Sequence, residues 1–426
     1  MRVHFIGIGG IGVSALARYY LAKGHKVSGS DLASSEITQA LEKLGAKIFI
    51  GKNIIKKDAD LIIYSPAVKI KHPMPNILSY PEALGELTKK HFTIAVSGTH
   101  GKSTTTALIS LILIKAGFDP TVIIGTKLKE FKDSNCRIGK SQYLIIEADE
   151  HMASFLNYWP KIIILTNIEA DHLDYYKNLK NYILSFKKYI GHLPKDGILV
   201  ANEDDKNIRS MMGSRTSYYF SLKQPEVKKF KKILKVPGEH NIYNALAALT
   251  CARTLKIPDK ISLKALSEYK GAWRRFEIVQ TKPFVLISDY GHNPTKAMAG
   301  MKAAREKYPR KKIWCVFQPH QYQRTHYLFK DFVKVFRQAP ADKIIITDIY
   351  DVAGREEKEI RNKVSSEKLV KAINKPSVNY MPKEKIVGYL KDNLKNGQVL
   401  IIMGAGDIYN LTLSLQKRKI KKQGRF

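Results

Sequence analysis

A chain of 426 residues, 44% of them apolar, is long enough for about three domains of roughly 150 residues, each with its own core. No apolar run approaches the ~18 residues that cross a membrane, and Met1 leads straight into a strand pattern without a charged leader, so a cytoplasmic protein with no membrane partner is expected. The net charge of +34 comes from lysines spread along the chain, which predicts a basic surface that attracts phosphorylated small molecules and no specific nucleic-acid site.

Residues 2–31 read strand, glycine turn, helix, strand. Gly7, Gly9 and Gly12 fit G-x-G-x-x-G, and Asp31 closes the next strand, where a carboxylate can reach a ribose hydroxyl. The runs AKIFI and 60–64, the latter ending in Ser65-Pro66-Ala67, extend a parallel sheet with its ligand at the strand ends. The helix PEALGELTKK then reaches a boundary near residue 90.

Residues 93–115, TIAVSGTHGKSTTTALISLILIK, carry the densest signal. A β-branched strand enters a glycine-bracketed turn, and an apolar helix opens at Lys102-Ser103. Backbone N–H groups, a helix N-terminus, a lysine and a hydroxyl together make a phosphate cradle, although Val96 stands where the usual motif has its first glycine. A strand over 142–146 ends in Glu147, followed by Ala148-Asp149-Glu150. A carboxylate there suits a Mg²⁺-associated acid, with Glu147 and Glu150 chemically equivalent. The strand over 161–165 ends in Thr166-Asn167, with EADHLD beyond. Because Mg²⁺ prefers oxygen, His172 reads from its own chemistry as a polar loop residue.

Residues 204–235 show little pattern. PGEHNIYNALAALTCAR opens a helix with Asn241 and Asn244 on one face; capping or an adenine edge would use them, and capping accounts for one rather than both. GAWRRFE, 271–277, reads as a hinge with two phosphate-binding guanidinium groups. The pattern then restarts with a strand over 284–288, helix 295–307, strand 313–318, helix 327–337, strands 343–349 and 398–403, and a terminal helix. DYGHNP and FQPHQYQRTH follow its first two strands and gather Asp289, Tyr290, His292, His320 and Arg324 at one sheet edge. The end, QKRKIKKQGRF, is a basic tail expected to fray. Cys136, Cys251 and Cys315 stand far apart in no metal or redox spacing, which fits a reducing compartment.

Two phosphate cradles narrow the chemistry. A nicotinamide-dependent dehydrogenase uses only the first, a simple ATPase only the second, and a polyanion-binding protein with a degenerate ATPase needs neither intact. An enzyme that spends ATP on a nucleotide-linked substrate needs both.

The segments GIGGIGVSALA, GTHGKSTTT, EADEHMASF, TNIEADHLD, PGEHNIYNALAA, RRFE, DYGHNPT and FQPHQYQRTH resemble, in order and spacing, those of the Mur ligases. The likeness runs from residue 3 to about residue 408 and is closest to the branch that joins L-alanine to UDP-N-acetylmuramate. It implies an α/β chain of three domains and a tail. A Rossmann-like domain for the UDP-sugar would span 1–90, a P-loop ATPase-like domain with a mixed sheet 91–273, a Rossmann-like domain for the amino acid 274–415, and the basic tail 416–426. Its reaction would be ADP-forming: ATP phosphorylates the lactyl carboxylate, and a small amino acid attacks the acyl phosphate.

The resemblance also implies residue roles. Gly7, Gly9, Gly10, Gly12, Asp31 and Ser65 would hold the UDP-sugar, and Gly98, Thr99, His100, Gly101, Lys102, Ser103, Thr104, Asn241 and Asn244 the ATP. Ser103 and Glu147 would bind one Mg²⁺ and His172 a second; Lys102, Arg275 and Asp289 would join Glu147 and His172 in catalysis. Tyr290, His292, His320 and Arg324 would line the amino-acid pocket. A monomer or weak homodimer is expected.

Departures from the family pattern are Ser103 for threonine, His151-Met152 for Ser-Asp, Asn293 for a second histidine and Gln321 for an arginine. The last removes a charge-assisted contact worth roughly 1.5–3 kcal/mol to a carboxylate. A murein tripeptide ligase is the nearest alternative within the family, and DYGHNP argues against it.

Overall fold

The computed structural model describes residues 1–70, 75–213, 216–352 and 358–416. The basic tail expected over 416–426 therefore lies outside the described residues beyond Gln416. In chain order the helices are α1 (Ile11–Ala22), α2 (Glu36–Lys43), α3 (Tyr80–Lys89), α4 (Lys102–Lys115), α5 (Leu173–Tyr176), α6 (Leu179–Ile190), α7 (Lys206–Arg209), α8 (Glu226–Ile233) and α9 (Glu239–Thr254). They continue as α10 (Asp259–Glu268), α11 (Pro294–Lys307), α12 (Tyr322–Tyr327), α13 (Phe329–Gln338), α14 (Lys358–Lys363), α15 (Ser366–Ile373), α16 (Lys383–Asn393) and α17 (Tyr409–Gln416). Two compact units result: 1–171 with 178–234 and 242–269, and 172–177 with 235–241 and 270 onward.

The first unit holds two sheets. β1 (Arg2–Ile6), β2 (Lys26–Asp31), β3 (Lys47–Ile50), β4 (Leu61–Tyr64) and β5 (Ile77–Ser79) are all parallel, in the order β3-β2-β1-β4-β5. Central β1 is buried apart from its first residue, as a parallel strand covered on both faces must be. Its one polar side chain beyond that residue, His4, is satisfied by Ser28 Oγ at 2.9 Å and the Ile54 carbonyl at 2.8 Å. Ser79 and Glu82 form a capping box at the start of α3, with Pro81 in its first turn, so this helix is well specified locally.

The second sheet contains β6 (Phe92–Ser97), β7 (Thr121–Leu128), β8 (Ser134–Arg137), β9 (Tyr143–Glu147), β10 (Ile162–Leu165), β11 (Ile198–Asn202) and β12 (Ser217–Phe220). Its order is β12-β11-β10-β6-β9-β7-β8, parallel except for the β7–β8 pair, which makes it the mixed sheet expected. Helix α4 packs on β6, β7 and β9. The two sheets share a unit because α1 lies against β7 and β8, and buried Asn135 donates to the Ile11 carbonyl at 2.5 Å and to Ser14 Oγ at 2.9 Å. The stretch 204–235, which shows little pattern in sequence, carries α7, β12 and α8, each too short to display a period.

The second unit is built on β13 (Glu277–Gln280), β14 (Val285–Asp289), β15 (Ile313–Phe317), β16 (Lys343–Ile346), β17 (Val378–Tyr380) and β18 (Val399–Met403). Their order is β13-β14-β18-β15-β16-β17, with only edge strand β13 antiparallel. Alternate residues feed opposite faces. Ile287, Cys315 and Ile401 pack with Phe332 and Phe336, whereas Leu286, Val316 and Leu400 pack with Ile386 and Leu390. The helix expected over 327–337 is α13, preceded by a short helix α12 that the sequence did not predict, and the strand expected over 343–349 stops at Ile346. There the Asp348 carboxylate leaves the ladder to accept from Tyr380 Oη at 2.6 Å and Lys383 N at 3.0 Å.

Candidate active site

The cradle after β6 is walled by backbone and by amides from elsewhere in the first unit. Gly98 and Gly101 have φ of 130° and 82°; a Cβ would lie 2.1 Å from Thr166 Oγ1 at the first and 2.3 Å from Asn244 Oδ1 at the second, so only glycine fits either. Thr99 N donates to the Asn167 carbonyl and His100 N to Asn167 Oδ1, both at 2.9 Å, while Thr166 Oγ1 donates to the His100 carbonyl at 2.6 Å. The loop is thus fixed from the end of β10. Lys102, Ser103 and Thr104 form the first turn of α4, where N–H groups and the helix dipole favour an anion. Thr105 Oγ1 donates to Asn244 Oδ1 at 3.2 Å, bringing α9 to the cradle, whereas Asn241 Nδ2 closes the loop before α9 on the Pro237 carbonyl at 2.7 Å. The two asparagines therefore differ in the partners they take, Asn241 the chain before α9 and Asn244 the first turn of α4.

Residue chemistry leaves Glu147 and Glu150 equal and the resemblance prefers Glu147; the structure gives the two acids different partners. Glu147 ends β9 beside Val96 of β6, and its Oε1 accepts from Gly125 N at 2.7 Å. Glu150 is only 1% exposed and accepts from Lys102 Nζ at 2.6 Å and Tyr182 Oη at 3.1 Å. Burial pushes the Glu150 carboxyl up to about 7 against the pull of Lys102. For Lys102, burial works downward, but Glu150, Asp149 and Glu147 together hold its ammonium above the usual lysine range. Lys102 also donates to the Gly98 carbonyl at 2.8 Å. His172 precedes α5 in the second unit, in left-handed backbone with φ 53°, and its carbonyl accepts from Tyr175 N and Tyr176 N. The His151-Met152 departure falls on strained backbone, with Met152 and Ala153 both left-handed.

At the first sheet, Gly7, Gly9 and Gly10 form the turn between β1 and α1, and Gly12 lies in the first turn of α1. Asp31 Oδ2 accepts from Gly9 N and its Oδ1 from Leu32 N, both at 2.8 Å, so this carboxylate shapes the turn. Ser65 follows β4, where its N–H donates to the Ile6 carbonyl at 2.9 Å and its hydroxyl accepts from Ala67 N at 3.3 Å.

In the second unit Asp289 ends β14 and ties two segments together, accepting from Phe276 N at 2.8 Å and Gly291 N at 2.7 Å. Burial raises its carboxyl, and those two N–H bonds oppose the rise. Arg274 and Arg275 stand over the Tyr290 ring at 5.0 and 4.9 Å. Arg274 also donates to the Gly404 carbonyl at 2.5 Å and is boxed by the Trp273 and Tyr409 rings, a role the sequence did not signal. His292 Nδ1 donates to the Tyr290 carbonyl at 2.9 Å, and its ring centroid lies 5.8 Å from that of His320. Arg324 Nη1 sits 3.2 Å from His320 Nδ1; a guanidinium only donates, so His320 carries its proton on Nε2. These four residues share one corner with Tyr350, whose ring stacks on His320. Gln321, where the family pattern has arginine, opens α12 with φ 72°. Asn293 accounts for its own departure: its Oδ1 accepts from Lys296 N at 2.9 Å, an N-cap with Pro294 behind it.

Comparison with known proteins gives the chain's family and fold. Three family models match in sequence: the Mur ligase family catalytic domain over 2–92, the Mur ligase middle domain over 96–252, and the Mur ligase glutamate ligase domain over 274–406. The UDP-N-acetylmuramate–L-alanine ligase of Clostridium acetobutylicum is 40% identical over 96% of both chains. That of Acetivibrio thermocellus is 41% identical over 96% of this chain and 94% of its own. Among solved structures, the UDP-N-acetylmuramate-alanine ligase of Thermotoga maritima superposes with a TM-score of 0.79 at 27% identity, covering 99% of this chain and 100% of its own. A murein peptide ligase from Psychrobacter arcticus shares the fold, with a TM-score of 0.73 at 22% identity over 98% of each chain.

Proposed function

We infer that this chain, which belongs to the Mur ligase family, is the ATP-dependent, ADP-forming ligase that joins L-alanine to the lactyl carboxylate of UDP-N-acetylmuramate in peptidoglycan precursor synthesis. The observation that carries this reading is the glycine cradle with its inturned lysine, in a chain about 40% identical over nearly its whole length to enzymes of that name. A dehydrogenase would have no use for that cradle, and the likeness to a murein peptide ligase at 22% identity extends to the fold alone.

A carboxylate oxygen attacks the γ-phosphorus of ATP, ADP leaves, and the resulting acyl phosphate is a far better acyl donor than a carboxylate. The uncharged amine of the amino acid then adds to the carbonyl carbon, and the tetrahedral adduct expels phosphate and a proton. In this scheme Gly98 to Thr104 wrap the phosphates, Lys102 leaves Glu150 to stabilise the charge on the β- and γ-oxygens, and Asn241 and Asn244 serve the nucleotide. The turn from Gly7 to Gly10 and the start of α1 at Gly12, with Ser65, receive the UDP-sugar; Asp31 has a lone pair left on Oδ2 for a ribose hydroxyl besides its three backbone bonds. Asp289 positions the segment carrying Arg275, and Tyr290, His292, His320 and Arg324 hold the amino acid. Domains at 1–90, 91–273 and 274–415 follow the same reading.

Mg²⁺ would supply charge neutralisation on the phosphates. The Ser103 hydroxyl and Glu147 carboxylate are hard oxygen donors following neighbouring strands β6 and β9, a set that fits it; His172, assigned to a second ion, is the softer donor. A cytoplasmic monomer or weak homodimer completes the proposal. The buried, unpaired thiols Cys136, Cys251 and Cys315 suit a reducing compartment, and no helix among the described residues is long and apolar enough to cross a membrane. Incubation with ATP, Mg²⁺, UDP-N-acetylmuramate and L-alanine tests the reading: ADP and the alanylated UDP-sugar should form in equal amounts, and ADP release without an adduct for any amino acid would reject it.

A further inference from the structure

One buried hydrogen-bond chain runs behind the cradle and uses a residue that the family resemblance did not assign. Glu169 N donates to Thr99 Oγ1 at 3.0 Å, Thr99 Oγ1 lies 3.1 Å from Tyr182 Oη, and Tyr182 Oη donates to Glu150 Oε1 at 3.1 Å. The other oxygen of Glu150 takes Lys102 Nζ at 2.6 Å. Thr99, Glu150 and Tyr182 are each 2% exposed or less, so these bonds are made away from water. Tyr182 is held rigidly in place on α6, with its ring edge-to-face against Phe186 at 5.1 Å.

The arrangement has a consequence for nucleotide binding. Lys102 must turn from Glu150 to the phosphates, and this step strips a buried carboxylate of its cation. Such a group is costly unless other donors remain. We propose that Tyr182 positions Glu150 as the resting counter-ion of Lys102 and, by continuing to donate to it, allows Lys102 to leave for the nucleotide. Without the hydroxyl, Glu150 depends more heavily on Lys102, and ATP must compete harder for the lysine. Tyr182 acts through Glu150 and touches no reacting atom. The inference rests on the reading of Lys102 as the phosphate lysine.

The test is titration of the full-length protein with a fluorescent ATP analogue, alongside steady-state kinetics. Tyr182→Phe should weaken nucleotide binding roughly tenfold, the size of a lost hydrogen bond to a charged group, while UDP-sugar affinity stays within about twofold. In a Glu150→Gln background, where no charge needs the donor, the same change should cost less than about twofold. Equal losses in both backgrounds would mean that the hydroxyl only packs, and this would overturn the proposal, as would unchanged binding by Tyr182→Phe alone. If Glu150→Gln does not fold, the kinetic split decides: KM for ATP should rise roughly tenfold with kcat within about threefold, and a fall in kcat at constant KM overturns the proposal. A parent protein that binds UDP-N-acetylmuramate but no nucleotide defeats the ligase reading itself, and this inference with it.

Discussion

The phosphate cradle of the first unit and the polar corner of the second are built on opposite plans. The cradle is made of backbone: N–H groups after β6, two glycines that admit no side chain, and loop walls fixed by Thr166 and Asn167. The corner is made of side chains, Tyr290, His292 and His320 on loops and Arg324 on α12, which meet through ring contacts and one guanidinium–imidazole bond. Backbone recognition tolerates no added atom. Side-chain recognition can lose one member and keep the rest, and the departures at Asn293 and Gln321 fall there.

This contrast sets the order of expected effects. Lys102→Ala should lower ADP formation by roughly 10³-fold, because the removed charge stabilises the transferring phosphoryl group, while UDP-sugar binding by calorimetry stays intact. Gly101→Ala should be nearly as damaging. Its Cβ would meet Asn244 Oδ1 at 2.3 Å on left-handed backbone, so nucleotide affinity should fall by roughly tenfold to a hundredfold, readable by the same titration. Arg324→Ala should raise KM for the amino acid by roughly 10–100-fold and leave KM for ATP unchanged, since one charge-assisted contact is lost and the others remain. Gln321→Arg should act in the opposite direction, lowering that KM by up to about tenfold; an unchanged value would show that the corner has no vacancy for a second guanidinium.

Acid adds a smaller contrast. Burial lowers the His4 pKa from its ordinary 6.5, with the Ile54 carbonyl partly opposing. Its stabilising share is therefore full above about 6.5 and lost as pH falls through the lower folded value, when a proton must enter the core. The unfolding midpoint of the parent should fall over that window, and that of His4→Gln should fall less.

Much of the cradle is legible in sequence because its parts are contiguous: strand, glycines, lysine and helix all lie within 93–115. Its walls and its counter-ion are not, since Asn167, Asn244, Glu150 and Tyr182 arrive from other strands and helices and have no local periodicity. Glu147 and Glu150 have the same chemistry, and only the pairing of β9 with β6 and the burial of Glu150 separate them. The same limit explains the fold. Buried strands such as β6, β10 and β18 announce themselves as β-branched runs, whereas α15, β17 and α16 lie in lysine-rich sequence whose apolar faces emerge only on packing against the second unit's sheet.

The central claim is that the cradle activates a carboxylate as an acyl phosphate. UDP-N-acetylmuramate labelled with ¹⁸O in its lactyl carboxylate, incubated with the protein, ATP, Mg²⁺ and L-alanine, tests it directly. The account predicts ADP and inorganic phosphate carrying one labelled oxygen for each amide formed. Unlabelled phosphate beside a fully labelled carboxylate, or AMP with pyrophosphate, would contradict it.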